Sequence, residues 1–434
     1  MVFSPAEFED NQIECFIGTV HTAQGQDERI VWMLLAAIVM PKAPYPAEKL
    51  VNGRYSMRVR ALALGLFSVC CTSVAAQDSN RTLQQAFQQV PQVVLTAPDA
   101  MQFFFLDVQA WRALDKSGPT ADGMRRLSIA QAISPLQSIG YGLDQWADHA
   151  KVPFDELSYF GGFGQSPGNV SYWGLKDKES AATLVDRLVQ SDFKPVNGDV
   201  AGLMANGEAN KPDMTKASGR DPWRGTMGMP TFVLPLDTAL VQASSATGMR
   251  ALAKPSPSVA DSEIVAASIA GLKQAVPSDG ARIVQAAVIS PVLGLQGVDP
   301  AKVLFADPGD MQSAKQKLEA IAASSGRGIP PYFSGIIADV QVKNAPGVVI
   351  SLSYADCGAA QQAVDGVAAA WKQTMAGAVQ ADVKGSTVQA GKLCAAVVSL
   401  TAAKAETAGN PILSQIMTRY MQRDLALLQI GASR

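Results

Sequence analysis

A faint internal repeat constrains the fold of this chain more than any other sequence feature. Residues 167–188 match residues 346–367 at a constant offset of 179 residues, with seven identities in 22 positions. The matching pairs are Pro167/Pro346, Gly168/Gly347, Val170/Val349, Asp177/Asp356, Ala181/Ala360, Val185/Val364 and Asp186/Asp365. Self-similarity at a fixed spacing is typical of a repeated structural unit. The repeat therefore predicts two modules of similar architecture.

Apolar patterns predict the elements of the first module. Residues 101–108 form an apolar run typical of a buried strand. A helical region follows, and its apolar residues recur at 3-to-4 spacing: Leu136, Ile139, Leu143 and Trp146. A hairpin turns at 166–168, and Asp177 then caps a second helix. Residues 231–243 complete the module as a strand, a turn and a strand.

The second module repeats this pattern with strands at 282–289, 336–342, 348–353 and 392–400. Asn410 and Pro411 start a terminal helix that Gly431 ends. Strand, helix, two strands, helix, strand is the ferredoxin-like order. We therefore expect an α+β fold of two tandem ferredoxin-like (β-α-β-β-α-β) modules from an internal duplication, each with an appended helix. The modules are 93–276 and 277–434, and residues 77–92 form a leader helix or a disordered arm.

Residues 57–76 have the pattern of a bacterial secretory signal peptide. Basic residues precede a short apolar stretch, and Val74-Ala75-Ala76 places small residues before a cleavage site near Ala76. We interpret residues 1–56 as a misassigned upstream extension and expect a periplasmic or secreted protein with no stable transmembrane span in the mature chain. The alternative is an inner-membrane protein anchored through residues 61–74, although a span takes ~20 apolar residues.

Cleavage there would leave two cysteines, Cys357 and Cys394, in an oxidising compartment. Such a pair favours a disulfide, which would close a loop of 37 residues. The alternative is two separate small core residues.

The sequence lacks the residues that several classes of function require. The formal charge of −2 argues against nucleic-acid binding, which uses a basic face. His149 would be the only histidine of the mature chain, and its place at a predicted helix end favours a structural role over that of a catalytic base. Neither a Cys-x-x-Cys pair nor a phosphate-binding glycine loop is present. We therefore assign no catalytic residue, no metal site and no cofactor.

An aromatic hairpin in the first module is one candidate binding surface. It carries Tyr159, Phe163, Tyr172 and Trp173, whereas the matching strands of the second module are aliphatic. Aromatic sheet faces can stack sugars or hold apolar ligands. The alternative is that these rings pack against helices or against the other module.

A long loop, residues 205–230, is the other candidate. It contains Arg220, Asp221, Trp223 and Arg224, and no loop of this length occurs at the matching place in the second module. Loops of more than ~12–15 residues are often functional. A Trp flanked by arginines could bind an anion, a sugar or a partner protein. Alternatively, Trp223 is packed and Arg220 pairs with Asp221, which would only hold the loop in place.

These features favour an exported, non-enzymatic protein that binds an unidentified ligand or an envelope partner. The first alternative is a cell-envelope hydrolase or lyase that uses Asp155, Glu156 and Asp221, which requires two carboxylates to converge within ~5–10 Å. The second alternative is a subunit of an envelope assembly that associates through sheet edges. The sequence leaves the oligomeric state open.

Overall fold

The structure is a computed structural model that describes residues 79–433. Within that range, it leaves out residues 117, 166–167, 199, 254–255, 278–279, 296–298, 300–309, 404–407 and 425. The described residues belong to one compact unit. The predicted signal peptide (57–76) and upstream extension (1–56) lie outside the described residues.

Fourteen strands occur in the described part of the chain. They are β1 (Met101–Asp107), β2 (Leu157–Phe163), β3 (Val170–Leu175), β4 (Lys194–Pro195), β5 (Met204–Ala205), β6 (Phe232–Pro235), β7 (Ala239–Ala243), β8 (Ala281–Ile289), β9 (Arg327–Gly328), β10 (Gly335–Val342), β11 (Ala345–Tyr354), β12 (Ala381–Ala390), β13 (Leu393–Ala402) and β14 (Ala432–Ser433). β9 and β14 form a separate parallel pair, and the other twelve strands form one antiparallel sheet.

Eleven α-helices accompany the described strands. They are α1 (Ser79–Gln89), α2 (Val108–Leu114), α3 (Ala121–Arg126), α4 (Leu136–Ile139), α5 (Trp146–Ala150), α6 (Lys178–Ser191), α7 (Ala246–Leu252), α8 (Glu263–Ala275), α9 (Met311–Ser324), α10 (Cys357–Thr374) and α11 (Pro411–Met421). Across the described segments, none of them is both long enough and apolar enough to cross a membrane.

The large sheet has the order β12-β13-β11-β10-β8-β1-β2-β3-β7-β6-β5-β4. β1 pairs with β8 at its centre, so the first half (β1 to β7) and the second half (β8 and β10 to β13) share a single sheet. In each half the chain passes through three adjacent strands, crosses by a helix (α6 or α10) to an outer strand, and returns beside the third strand. The two halves therefore follow the same general path outwards from the centre, except that the first half adds β5 and β6 between its outer strand β4 and its returning strand β7.

The mixed α+β class that the sequence predicts is present, but the strand order is not ferredoxin-like. A ferredoxin-like module places its fourth strand beside its first. Here β8 occupies the free side of β1, so the returning strand β7 pairs with β3 instead. In addition, α8 precedes the predicted boundary at residue 276, yet its Ser268 carbonyl accepts a hydrogen bond from Ser351 of β11 (2.8 Å). The helix at the end of the first half thus packs on the sheet of the second half.

Helix-capping residues lie at the places that the repeat predicts. The Asp177 carboxylate accepts a hydrogen bond from the Ser180 amide (2.7 Å) at the start of α6. The Asp356 carboxylate accepts the equivalent bond from Ala359 (2.8 Å) at the start of α10. Asn410 caps α11 as expected, but the helix ends at Met421 and not at Gly431. Arg423 adopts a left-handed conformation (φ 59°), which turns the chain away.

The helical region expected between β1 and β2 is interrupted. α4 ends at Ile139 and α5 begins at Trp146, and Gly140-Tyr141-Gly142 lies between them. Gly142, within this break, has φ +102°, a conformation that an L side chain rarely adopts. The apolar spacing was correct, since Leu136, Ile139 and Trp146 are buried, but it is carried by two short helices.

A buried polar network joins the two halves across the sheet. The Arg126 guanidinium, at the end of α3, donates to both carboxylate oxygens of Asp339 in β10 (2.9 and 2.8 Å). The Gln285 amide of β8 (3.0 Å) and the Asn410 amide (2.7 Å) also donate to this carboxylate. Arg126 and Asp339 are 2% and 0% exposed. Because both charges are paired and hydrogen-bonded, the network can exist in the core.

Candidate functional site

An open cleft of about 770 Å³ lies at one end of the first-half strands. Its walls come from the start of β1, residues 164–165 and 169 beside β2 and β3, the end of β7, residues 132–141 around α4 (the α4 segment) and residues 219–231 at the end of the long loop. Tyr420 of α11 is the contribution of the second half. The volume falls within the roughly 300–1,000 Å³ of sites that hold small ligands.

Trp223 fixes the long loop to the body of the protein. Its indole stacks on that of Trp173 at 4.3 Å between ring centroids and 11° between planes. Its ring N–H donates to the Ala150 carbonyl (3.1 Å). Trp223 is 3% exposed, so it forms part of the cleft floor and offers no free ring face. The loop has no regular secondary structure over most of its length, and this stack anchors it.

Gln242 of β7 connects the loop to the sheet beneath it. Its side-chain oxygen accepts a hydrogen bond from the Trp173 indole N–H (2.7 Å), and its side-chain amide donates to the Pro222 carbonyl (2.8 Å). Both bonds are buried, where a polar group without a partner would be costly. The floor of the cleft is therefore fixed before any ligand arrives.

Both arginines of the loop are already engaged by carboxylates. Arg224 is buried and donates to Asp192 at the end of α6 (2.6 Å) and to the Asn206 carbonyl. Arg220 pairs with Asp144 (2.8 Å), and not with Asp221 as one interpretation of the sequence proposed. These contacts leave no guanidinium free to receive an anion in the cleft, and they brace the loop at both of its sides.

Two carboxylates line the cleft, Asp99 and Asp221. Asp221 accepts a hydrogen bond from the Trp223 amide (2.8 Å), and Asp99 accepts one from the Gln165 side chain (3.0 Å). Neither forms an ion pair with a residue that the structure describes. Burial raises the pKa of Asp221 above its ordinary value, against the opposing effects of the Trp223 amide and His149. Burial and the nearby Asp99 charge raise the pKa of Tyr420.

Tyr141 is an exposed aromatic residue of the cleft that sequence reasoning missed. It lies in the glycine-flanked break between α4 and α5 and is 51% exposed. A Cβ on Gly219 would lie 2.2 to 2.7 Å from three of its ring carbons, so the loop backbone covers one face of the ring. A sequence could show the Gly-Tyr-Gly break, but not the approach of a residue 78 positions away.

The aromatic hairpin belongs mainly to the core and not to an open surface. Tyr159 and Tyr172 lie on one face of the sheet and Trp173 on the other, and all three are buried. Phe163 is partly buried and packs on the same cluster as the two tyrosines. Burial raises the pKa of both tyrosine hydroxyls. A ligand cannot stack on a ring that has no exposed surface. Tyr159, Tyr172 and Trp173 therefore pack inside the protein, as the alternative interpretation of the sequence expected.

The carboxylates expected to serve a hydrolase do not meet at this cleft. Asp155 and Glu156 lie just before β2, whereas the cleft reaches its far end at Gly164. The Glu156 carboxylate accepts a hydrogen bond from the Ser180 hydroxyl (2.6 Å) near the start of α6. Of the three predicted residues, the cleft contains only Asp221.

Cys357 and Cys394 form a disulfide that joins the start of α10 to β13. It lies in the second half, outside the cleft lining. Disulfides persist in oxidising compartments, so this one fits an extracytoplasmic protein. In the described part of the chain, no group of three or more His, Cys, Asp or Glu residues is placed to hold a metal ion.

Comparison with known proteins gives only distant structural likeness. No protein-family model matches the chain, and no curated protein matches it in sequence. Crystal form I of TP0453 aligns with a TM-score of 0.30 at 9% identity, over 76% of this chain and 97% of that one. Crystal form IV of TP0453 aligns at 0.31 and 10%, over 77% and 98%. At these scores the likeness carries no argument about function.

Proposed function

We propose that this chain is an exported protein of the bacterial envelope that binds a small ligand in the first-half cleft, without catalysing a reaction. The observation that carries the proposal is the cleft of about 770 Å³, whose floor and loop are fixed by the Trp223 and Gln242 contacts. A preformed site loses little conformational entropy on binding. The long loop thus builds one wall of a site.

Blocking the cleft tests this proposal. Thr226 lines the cleft and its side chain is exposed, so Thr226→Trp should fill the site without disturbing the core. Met214→Trp is the matched control, since Met214 is 60% exposed on the same loop but lies outside the cleft lining. After dialysis against a small-molecule extract of the cell envelope, native mass spectrometry should find a bound molecule on wild type and Met214→Trp only. Equal loading of all three proteins would refute the proposal.

Export belongs to the same proposal. The pattern of residues 57–76 and the Cys357–Cys394 disulfide support cleavage near Ala76 and a periplasmic location. N-terminal sequencing of protein from fractionated cells should find Gln77 first in the periplasmic fraction. A membrane-bound form that retains residues 61–74 would support the anchored alternative.

We also propose that the halves arose by internal duplication of a module that is not ferredoxin-like. The shared general path and the matching caps Asp177 and Asp356 support this. When an experimental structure of residues 93–276 is superposed on 277–434, strand on strand, the two caps should coincide. A displacement of a full helical turn or more would contradict duplication.

An envelope hydrolase is the second candidate. Asp99 and Asp221 line the same cleft, and the raised pKa of Asp221 is a property of many catalytic acids. If this candidate is correct, purified protein should release reducing ends from an envelope polymer, and Asp221→Asn should lose that activity. Binding without any product would favour the first proposal.

A further inference from the structure

We propose that the cleft takes a neutral carbohydrate of about two or three sugar rings, one of which stacks on Tyr141. This inference rests on the proposed function and names its ligand class. It follows from the hydrogen-bonding groups of the cleft, from its charges, and from the placement of Tyr141.

The polar lining of the cleft consists mainly of neutral amides and hydroxyls. Gln137 and Thr226 are exposed there and Ser138 is buried. Asn169 is half-buried, and its amide already donates to the Ser134 hydroxyl, so only its oxygen is left for a ligand. An amide carries donors and an acceptor, and a hydroxyl does both. Sugar hydroxyls have the same dual capacity, so each can be matched by such groups. A lining of this kind fixes the orientation of a polyhydroxylated ligand through many modest hydrogen bonds.

The charges of the cleft exclude an anionic ligand. Arg220 and Arg224 are paired with Asp144 and Asp192, so neither arginine of the loop is free to neutralise one. The carboxylates of Asp99 and Asp221 would repel it. A carboxylate can accept several hydrogen bonds, and each of these two accepts one from the Gln165 side chain or the Trp223 amide. Each can therefore still accept hydrogen bonds from ligand hydroxyls.

Tyr141 has the placement of a stacking platform. Gly219 covers one face of its ring, while 51% of the residue stays exposed at the cleft. The Arg220–Asp144 pair ties the adjacent loop residue to the same segment as Tyr141. A tyrosine presents an apolar ring and a polar hydroxyl together, which suits the C–H face and the hydroxyls of a sugar ring. The braced ring therefore loses little freedom on stacking.

Titration calorimetry with neutral trisaccharides tests the inference. Maltotriose and cellotriose represent plain glucans, and triacetylchitotriose represents the N-acetylated glycan of the cell wall. Spermidine and citrate serve as cationic and anionic probes. At least one trisaccharide should bind to wild type. Tyr141→Ala should weaken that binding at least tenfold, whereas Tyr141→Phe, which keeps the ring, should stay within threefold. Val189→Ala, an exposed apolar site on α6 outside the cleft, is the control.

The outcomes separate this inference from the proposed function. If spermidine or citrate binds, Thr226→Trp abolishes that binding and no trisaccharide binds, the carbohydrate assignment is wrong and the cleft is still a binding site. Trisaccharide binding that Tyr141→Ala leaves unchanged would refute the stacking role. If no trisaccharide binds and envelope extract also loads nothing in the blocking experiment, both proposals fail.

Discussion

The first and second halves of the sheet follow the same general path but differ in what lies at the ends of their strands. In the first half the strands are two to seven residues long, and the α4 segment and the long loop rise beyond them. In the second half the strands are eight to ten residues long, and a two-residue turn joins β12 to β13. Short strands leave space at the sheet end, and the added segments enclose the cleft there.

The two halves also differ in their cores. Large aromatic side chains fill the first half, where Trp146, Trp173 and Trp223 form a stacked series. The second half is aliphatic along β10 and β11, and the Cys357–Cys394 disulfide adds a covalent link. The first half therefore carries the cleft, and we propose that the second half acts as a scaffold to which it is joined.

The largest expected effect comes from breaking the junction between the halves. Arg126→Ala leaves the buried Asp339 carboxylate without its cation and should lower the free energy of unfolding by about 3–5 kcal/mol. Arg125→Ala is the matched control, because that neighbouring side chain is 76% exposed and pairs only with Asp122 among described residues. Its effect should stay below about 1 kcal/mol in urea titrations.

A second variant keeps that prediction testable if Arg126→Ala does not fold. The double change Arg126→Met with Asp339→Leu removes both charges, and should recover most of the lost stability. Equal stability of wild type and Arg126→Ala would show that the network does not join the halves.

Loss of the disulfide should lower the free energy of unfolding without changing the cleft of the first half. In the chain-entropy model, opening its 37-residue loop costs about 3–4 kcal/mol. The double variant Cys357→Ser with Cys394→Ser should show this loss in denaturant titrations, while ligand loading of the cleft at 25 °C stays unchanged. A parallel loss of binding would contradict the division into site and scaffold.

Two helix caps should respond to pH in opposite directions. Burial raises the pKa of Asp107, at the start of α2, to about 6, although the Ala110 amide opposes this. Because the folded state holds this proton more tightly, the stabilising contribution is full below about pH 4 and is lost as the pH rises through 6. Asp107→Asn should therefore be more stable than wild type at pH 7, by at most about 3 kcal/mol, and equal to it near pH 4.

Asp177 provides the matched comparison, because the Ser180 amide lowers the pKa of this exposed cap. Its contribution is present above the ordinary carboxyl range and is lost as the pH falls through it. Asp177→Asn should therefore be less stable than wild type at pH 7, and the difference should close in acid. Urea titrations from about pH 2 to pH 7 measure both variants, and the same sign for both at pH 7 would contradict the assignment.

The smallest effect is expected at the rim of the cleft. Arg220→Ala removes a solvent-exposed ion pair with Asp144 and should lower stability only slightly. Because the pair braces the loop beside Tyr141, the variant should weaken ligand binding more than it lowers stability. Lys178→Ala, which breaks an exposed pair with Asp237 outside the cleft lining, should leave binding unchanged.

Local patterns predicted the elements that bury one face or carry a cap. The apolar run at 101–108 is β1, and the caps Asp177 and Asn410 start helices as expected. β12 escaped prediction because it is an edge strand with mostly exposed or half-exposed residues, which leaves no alternating apolar pattern. The order of strands also could not be predicted, since it depends on β8 pairing with β1 about 180 residues away.

The sequence singled out the loop that lines the cleft, but it assigned the residues of that loop different roles. Arg220, Trp223 and Arg224 hold the loop in place, and of the four predicted loop residues only Asp221 offers the cleft a carboxylate. Their partners lie 18 to 76 residues away in sequence, so no local pattern predicts them. Tyr141 was missed for the same reason.

Hydrogen–deuterium exchange tests most directly whether the ligand binds to the first half of the sheet and not to the second. The protein would be measured alone and after loading with the small-molecule fraction of its own cell envelope. We predict that protection increases in residues 132–141 and 219–230, which line the cleft, while the β12–β13 hairpin (381–402) stays unchanged. Protection confined to that hairpin, with no change around the cleft, would show that the second half carries the binding site and would contradict this account.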